Sequence, residues 1–309
     1  MKRFLRNILI FSILTLLLLG AGELVVRSLP TSYSYKAEWM DEHSESVGTL
    51  ILGSSHTYYG LRPDLLGDSV FNLANVSQTP EYDLILLKKY LPKMPGLRRV
   101  IIPISYFTYR DPVLEEDEWK LAIRYKTQMG LDIHSDLSRY NFEISDFDAY
   151  TGKLKSLVFE SPSNRCDSLG FGLGYDLKHR ASHWKERSGE RAAKHTRTTP
   201  GRFREVLAVQ RELLRLAREH DIEVVFVTTP GWKDYVSAFD SAQYAEMRQG
   251  VRQLLRESTS IGVKVSYYDF LTDHRFTDPD FYDPDHLTDR GASRLTRLLA
   301  DTLRHSSHR

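Results

Sequence analysis

Five short runs rich in β-branched and aromatic residues set the limits on what this chain can fold into. They span residues 47–53, 69–74, 99–105, 223–229 and 264–270. Most are continuous Val/Ile/Leu/Phe stretches rather than alternating ones, the pattern of strands covered by protein on both faces. Helical patterns fall between and after them. Residues 81–91 place apolar side chains at 84, 85, 87 and 91 and stop at Pro92. Phe203, Val206, Leu207, Leu213, Leu214 and Ala217 form one stripe along residues 202–220, and Ala292, Leu295, Leu298, Leu299 and Leu303 form another near the C-terminus. Strands alternating with helices predict a parallel sheet in an α/β sandwich, connected by right-handed crossovers. Such sheets collect their sites at the carboxyl ends of the strands, which makes the residues after each run the ones to inspect.

The N-terminus is of a different kind. Met1-Lys2-Arg3-Phe4-Leu5-Arg6 precedes a charge-free run from Asn7 to Gly22, 16 residues dominated by Leu and Ile. Continuing past Glu23 through Leu24-Val25-Val26 gives about 20 residues, enough to cross a bilayer. The cationic start places the N-terminus in the cytoplasm and exports the chain beyond Arg27. A cleaved signal peptide is the competing reading, with Gly20 and Gly22 before the cleavage point; Gly-x-Gly is a poor match to Ala-x-Ala. Residues 1–27 are therefore read as a signal-anchor helix, 28–45 as a stalk, 46–304 as an extracytoplasmic domain and 305–309 as a tail. If the anchor were cleaved, the domain would be secreted.

Composition excludes several classes. With 42 Lys+Arg against 41 Asp+Glu among 309 residues, the chain lacks the basic excess of a nucleic-acid binder. One cysteine, Cys166, excludes an internal disulfide framework and any multi-cysteine metal site. Residues 107–200 break the strand–helix rhythm with an acidic run (Glu115-Glu116-Asp117-Glu118), three glycines (Gly170, Gly172, Gly174) and a basic stretch. They are read as an insertion, helical or irregular, beside the site. Between Lys178 and Arg204 lie nine Lys/Arg and two Glu, either an electropositive wall or a solvated charged face. His179, His183 and His195 lie there without the spacing of a metal site, and neither metal nor cofactor is expected.

Two short motifs carry chemistry. Gly53-Ser54-Ser55-His56 follows the first run, where a turn at a strand's carboxyl end exposes a hydroxyl and backbone N–H groups. Tyr282-Asp283-Pro284-Asp285-His286 precedes the last helix; the three-residue spacing lets Asp283 hold one imidazole nitrogen of His286 and leaves the other for a serine proton. Asp285 shares the turn at the wrong offset and is expected to matter far less.

Together these features resemble the SGNH/GDSL hydrolase superfamily, in a divergent, membrane-anchored bacterial form, over about residues 46–304. The resemblance implies a three-layer α/β sandwich with a five-stranded parallel sheet in order 2-1-3-4-5. It also implies Ser55 as nucleophile, His286 as base and Asp283 as its orienting carboxylate. The superfamily's oxyanion glycine and asparagine are absent. Ser77 stands near the expected glycine, Asn75 and Ser105 are substitute oxyanion or substrate-binding residues, and Ser55 N–H is retained as a donor. By fold-level analogy, the activity implied is that of a serine esterase or O-acyl(acetyl)transferase on a cell-envelope polysaccharide or other acylated glycan, with a membrane acyltransferase as a candidate acyl supplier. The alternative is an inactive, anchored glycan-binding or assembly module on the same fold.

Overall fold

The computed structural model describes residues 1–110, 115–131, 142–157, 166–196 and 202–306, and of 115–118 and 306 the backbone only. Residues 111–114, 132–141, 158–165 and 197–200 of the expected insertion, the side chains of its acidic run, and 307–309 of the expected tail lie outside the described residues. In chain order the elements are α1 (Lys2–Ser28), α2 (Ser32–His43), β1 (Thr49–Ile51), α3 (Ser55–Tyr58), β2 (Val70–Asn72), α4 (Pro80–Tyr90) and β3 (Arg99–Pro103). There follow α5 (Glu115–Met129), α6 (Phe147–Ser156), α7 (Ser188–His195), α8 (Phe203–Glu219), β4 (Glu223–Thr228), α9 (Lys233–Ser237), α10 (Ser241–Ile261), β5 (Val265–Asp269) and α11 (Asp289–Ser306). The chain divides into two units, one of residues 1–38 and 115–164, the other of residues 39–114 and 165–309. The expected stalk carries α2, and the expected insertion contributes to both units.

The larger unit holds one five-stranded sheet, every pair parallel, in the order β2-β1-β3-β4-β5. Each of the five apolar runs supplies one strand. β1 is shorter than its run, but the ladder continues beyond it: Leu52 N–H donates to Ile101 O at 2.9 Å and Asn75 N–H to Gly53 O at 3.1 Å. At the amino edge the register sets Arg99 against Glu223, and Glu223 also pairs with Lys264 at 3.1 Å. One face of the sheet offers Ile51, Ile101, Val225 and Val227 to Leu295, Leu299 and Leu303 of α11, all buried. Right-handed crossovers place α4, α8 and α10 on the opposite face, where α8 packs against both of its neighbours. Burying each Leu or Val of the α8 stripe contributes about 1.5–3 kcal/mol. Helix α10 escaped the sequence pattern: its inward face mixes Met247, Val251 and Leu254 with Gln243, Gly250 and Ser258, too polar to show a stripe. It ends where Gly262 turns left-handed (φ 71°), a conformation glycine adopts without a Cβ penalty.

The smaller unit contains α1, α5 and α6. α1, 27 residues and ~40 Å long, is by length and composition able to cross a membrane, as a signal sequence also is. Tyr33 and Tyr125 pack edge to face with ring centres 5.2 Å apart.

Candidate active site

The first half of the site is built by the turn after β1. Gly53 has φ 106°, and a Cβ there would lie 2.1 Å from the Pro103 ring, so the β1–β3 approach demands glycine. Ser54 is the N-cap of α3, its hydroxyl accepting the His56 N–H at 3.4 Å. Ser55 is thereby the first residue of the helix, where the backbone N–H has no acceptor within the helix. Gly53 N–H is spent on Asp83 Oδ1 (2.8 Å), which also accepts from Gln78 Nε2 at 2.6 Å.

Burial pushes the Asp83 carboxyl up to about 7 from 3.8, against the donors from Gln78 and Gly53, with Glu81 adding to the rise. A carboxyl raised on folding lends stability that is complete below about pH 4 and disappears as pH climbs through about 7. At ~1.4 kcal/mol per pK unit, about 4 kcal/mol is at stake. Asp83→Asn is therefore expected to flatten the pH dependence of unfolding. Denaturant titrations at about pH 5 and pH 8 would show it; an unaltered slope would mean that Asp83 titrates normally.

The second half is a tight loop from Phe281 to Leu287, which face each other in an antiparallel bridge, with Tyr282 N–H donating to His286 O at 2.9 Å. Asp283 Oδ1 accepts the backbone N–H of Asp285 (3.1 Å) and of His286 (2.9 Å), an Asx turn that shapes the loop. The same carboxylate sits 2.9 and 3.0 Å from His286 Nδ1. On its other side, His286 Nε2 lies 2.8 Å from Ser55 Oγ. Ser55 is half-buried and His286 buried. The structure thus brings Ser55, His286 and Asp283 into one chain of contacts at the carboxyl edge of the sheet.

Of the other residues singled out in the sequence, Asn75 is fully buried behind this turn, and Ser77 is exposed with φ 60°. That φ lies in the left-handed region, so the position keeps the backbone conformation a glycine favours. Ser105 is buried and its hydroxyl is 2.7 Å from His56 Nδ1.

Four residues to which the sequence reading gave no site role, Asp285, Arg191, His195 and His56, gather around these contacts. Asp285 is buried with Oδ2 3.4 Å from His56 Nε2 and 3.9 Å from His195 Nε2, while Oδ1 lies 3.5 Å from His286 Nδ1. Helix α7 supplies Arg191, whose guanidinium bonds Asp283 Oδ2 at 3.1 Å and lies 3.1 Å from Asp285 Oδ1. His195, one turn further along, pairs through Nδ1 with Tyr235 Oη at 2.8 Å. The i, i+4 spacing of Arg191 and His195 and the adjacency of His56 to Ser55 were the signals available. The basic stretch itself is largely spent on internal partners: Arg180 and Lys185 on Asp278, Arg187 on Glu190, Arg191 on the site carboxylates. His179 and His183 pair with Asp176 and Glu186, and both rings are exposed.

Burial alone would depress the His286 imidazole, but Asp283 and Asp285 outweigh it and hold its pKa above the ordinary value. For His56, desolvation wins over Asp285, and its pKa is lowered. Desolvation likewise takes His195 down to about 4, with Asp285 opposing and His56 and Arg191 reinforcing. Asp285 is desolvated too, yet the surrounding rings and Arg191 keep it well below the carboxylate range. His56, Asp285 and His286 offer three ligand atoms within 4.8 Å of one another, the geometry of a cation site. Arg191, 3.1 Å from Asp285, already puts a fixed positive charge at that spot, which disfavours a metal ion there. Three tyrosines lie beside His286: Tyr59, buried, and the half-buried Tyr175 and Tyr282 stack in sequence at 3.7 and 4.0 Å, and Tyr175 meets the His286 ring edge-on at 5.4 Å.

No family model and no curated protein matches the chain. Among solved structures, it is similar to a protein provisionally described as a platelet activating factor from Streptococcus pneumoniae (13% identity, 95% of this chain and 98% of the other, TM-score 0.43). It is also similar to a GDSL-like lipase from Bacteroides thetaiotaomicron (8% identity, 88% and 99%, TM-score 0.40) and to a carbohydrate acetylesterase family member from Sinorhizobium meliloti (12% identity, 84% and 98%, TM-score 0.32).

Proposed function

We propose that this chain is a membrane-anchored serine esterase or O-acyltransferase that works on the extracytoplasmic side of a bacterial inner membrane. The observation that carries the reading is the contact of Ser55 Oγ with His286 Nε2 at 2.8 Å, with Asp283 on the far nitrogen of the same ring. His286 Nε2 takes the Ser55 proton as Oγ attacks the carbonyl carbon of an ester, and the carbonyl electrons move onto oxygen. Ser55 N–H faces that oxyanion as the donor from the start of α3, with Asn75 as second candidate. When the tetrahedral adduct collapses, the leaving alcohol takes the proton from His286 and the acyl group stays on Ser55. Water, or a sugar hydroxyl in the transferase case, then attacks the acyl-enzyme while His286 removes its proton, and Ser55 is restored. Asp283 and Asp285 stabilise the imidazolium in both halves. The glycan substrate is supported by the half-buried Tyr175 and Tyr282 beside His286, whose apolar bodies and hydroxyl tips suit a sugar ester, and by the apolar helix α1, which would hold the site close to the envelope.

Incubating the purified protein with an activated acetyl ester and measuring its intact mass tests this. A single acetyl adduct on the peptide carrying Ser55, absent in Ser55→Ala, is the expected result. An unacylated protein that still binds an envelope polysaccharide would replace the enzyme by the anchored binding module.

A further inference from the structure

The last turns of α1 are built differently from the rest of that helix. Large side chains from Phe4 to Leu19 are exposed; in the last turns Leu24 and Val25 stay exposed, but Glu23 and Val26 on the other side are buried. The Glu23 carboxylate accepts Arg27 Nε at 2.8 Å and the backbone N–H groups of Glu143 (2.8 Å) and Ile144 (3.1 Å), so its buried charge is fully hydrogen-bonded. One residue earlier, a Cβ on Gly22 would fall 2.1 Å from Tyr150 Oη of α6, so the glycine lets α6 seat against the helix. Residues 142–157 thus clasp α1 where its charge-free stretch ends, and the helix leaves no free stalk at that point.

The same segment exposes Phe142 (49%), Phe147 (64%) and Leu157 (53%). Outside α1 and among the described residues, the other exposed large apolar side chains are Leu173 and Leu177. Three of these five fall within the 16 residues that hold α1. Of the exposed charges on α6, Asp148 stands beside Phe147 and Lys155 near Leu157, so only the C-terminal end of the helix offers a cation to an anionic headgroup.

We propose that residues 142–157 form a membrane-surface platform, with Phe142, Phe147 and Leu157 resting in the lipid interface around the exit of α1. The proposal rests on the anchor reading above. What selects lipid as the occupant is continuity: the apolar side chains belong to the segment hydrogen-bonded to α1 at the level where a span beginning near Arg6 reaches the outer interface. The platform would fix the angle at which the helix emerges and make the clasp around Glu23 part of the mature protein, which argues for retention of α1.

Single-cysteine variants of the full-length chain in a Cys166→Ser background test this. Leu14→Cys, Phe147→Cys and Leu157→Cys are labelled with a polarity-sensitive fluorophore and reconstituted into phosphatidylethanolamine/phosphatidylglycerol vesicles. Nitroxide-labelled lipids are expected to reduce emission at positions 14, 147 and 157 by roughly two-fold or more, while aqueous iodide quenches these positions weakly. If position 14 is quenched by lipid but 147 and 157 respond only to iodide, the anchor stands and the platform is overturned. If position 14 escapes lipid quenching, the anchor reading fails and takes the platform with it. Shielding of 147 and 157 from both quenchers that grows with protein density would assign the face to a second copy of the chain and overturn the proposal.

Discussion

Ser55→Ala and His286→Ala are each expected to lower kcat/KM for an activated acetyl ester by about 10⁴-fold or more, and the double variant to fall little further. Such non-additivity follows from the geometry. At neutral pH a serine hydroxyl is a poor nucleophile, and among the described residues the group positioned to take its proton is the imidazole nitrogen 2.8 Å away. Without the ring the hydroxyl is inert, and without the hydroxyl the ring has nothing to activate. Neither change should disturb the fold. Ser54, not Ser55, caps α3, and alanine is a good residue at the first helical position. The His286 loop is held by backbone bonds to Asp283 Oδ1 and by the Phe281–Leu287 bridge, which survive loss of the ring. Single-turnover kinetics on the three variants, with circular dichroism to confirm folding, would check this. Additive losses would mean that serine and histidine act separately, and an unaffected Ser55→Ala would remove the acyl-enzyme altogether.

How much of this was legible in the sequence depends on how local each feature is. The strands announced themselves because a parallel sheet covered on both faces needs continuous apolar runs such as Val224-Val225-Phe226-Val227. The Asp283–His286 contact was equally readable, since a three-residue spacing within one turn leaves few other arrangements. The strand order came from the resemblance and agrees with the sheet found. The site's other members were hidden by distance along the chain: His56 meets Ser105 across 49 residues and Asp285 across 229, and Arg191 meets Asp283 across 92. No periodicity links such positions. The basic stretch left two readings open for a related reason, because a run of Lys and Arg looks the same whether its partners are absent or merely far away in sequence. The structure sides with the solvated charged face, with Lys185, Arg187 and Lys194 exposed, and among the described residues it draws only Arg191 into the site.

Asp285 is where spacing and structure part company, and Asp285→Asn is expected to lower kcat by about 10²–10³-fold, the magnitude of losing one preorganised electrostatic group. By offset alone, this residue seemed a bystander to Asp283. Its burial among three imidazoles and a guanidinium gives it two tasks. The first is charge balance. Two carboxylates against Arg191 leave one net negative charge while all three rings are neutral, and that charge is cancelled when one ring takes a proton. Desolvation keeps His56 and His195 neutral, so the proton settles on His286, the ring whose pKa the carboxylates raise. The second task is fixing a tautomer. An ionised Asp285 accepts only, so the neutral His56 ring must carry its proton on Nε2, which leaves Nδ1 to accept the Ser105 hydroxyl proton. In that state Ser105 turns a lone pair, not a donor, towards its other neighbours, which in the proposed mechanism leaves Ser55 N–H and Asn75 as the oxyanion candidates. An asparagine at 285 removes the charge and can set an N–H against His56 Nε2, undoing both arrangements. The pH profile separates this from a purely structural role. Activity requires neutral His286, so a raised pKa puts the acid limb of kcat/KM above the ordinary histidine value of 6.5, and activity is lost as pH falls through it. Removing either carboxylate should move that limb to lower pH, in Asp285→Asn as well as in Asp283→Asn. A variant at 285 with a lowered Tm but an unmoved acid limb and near-normal kcat would show that Asp285 only supports the loop.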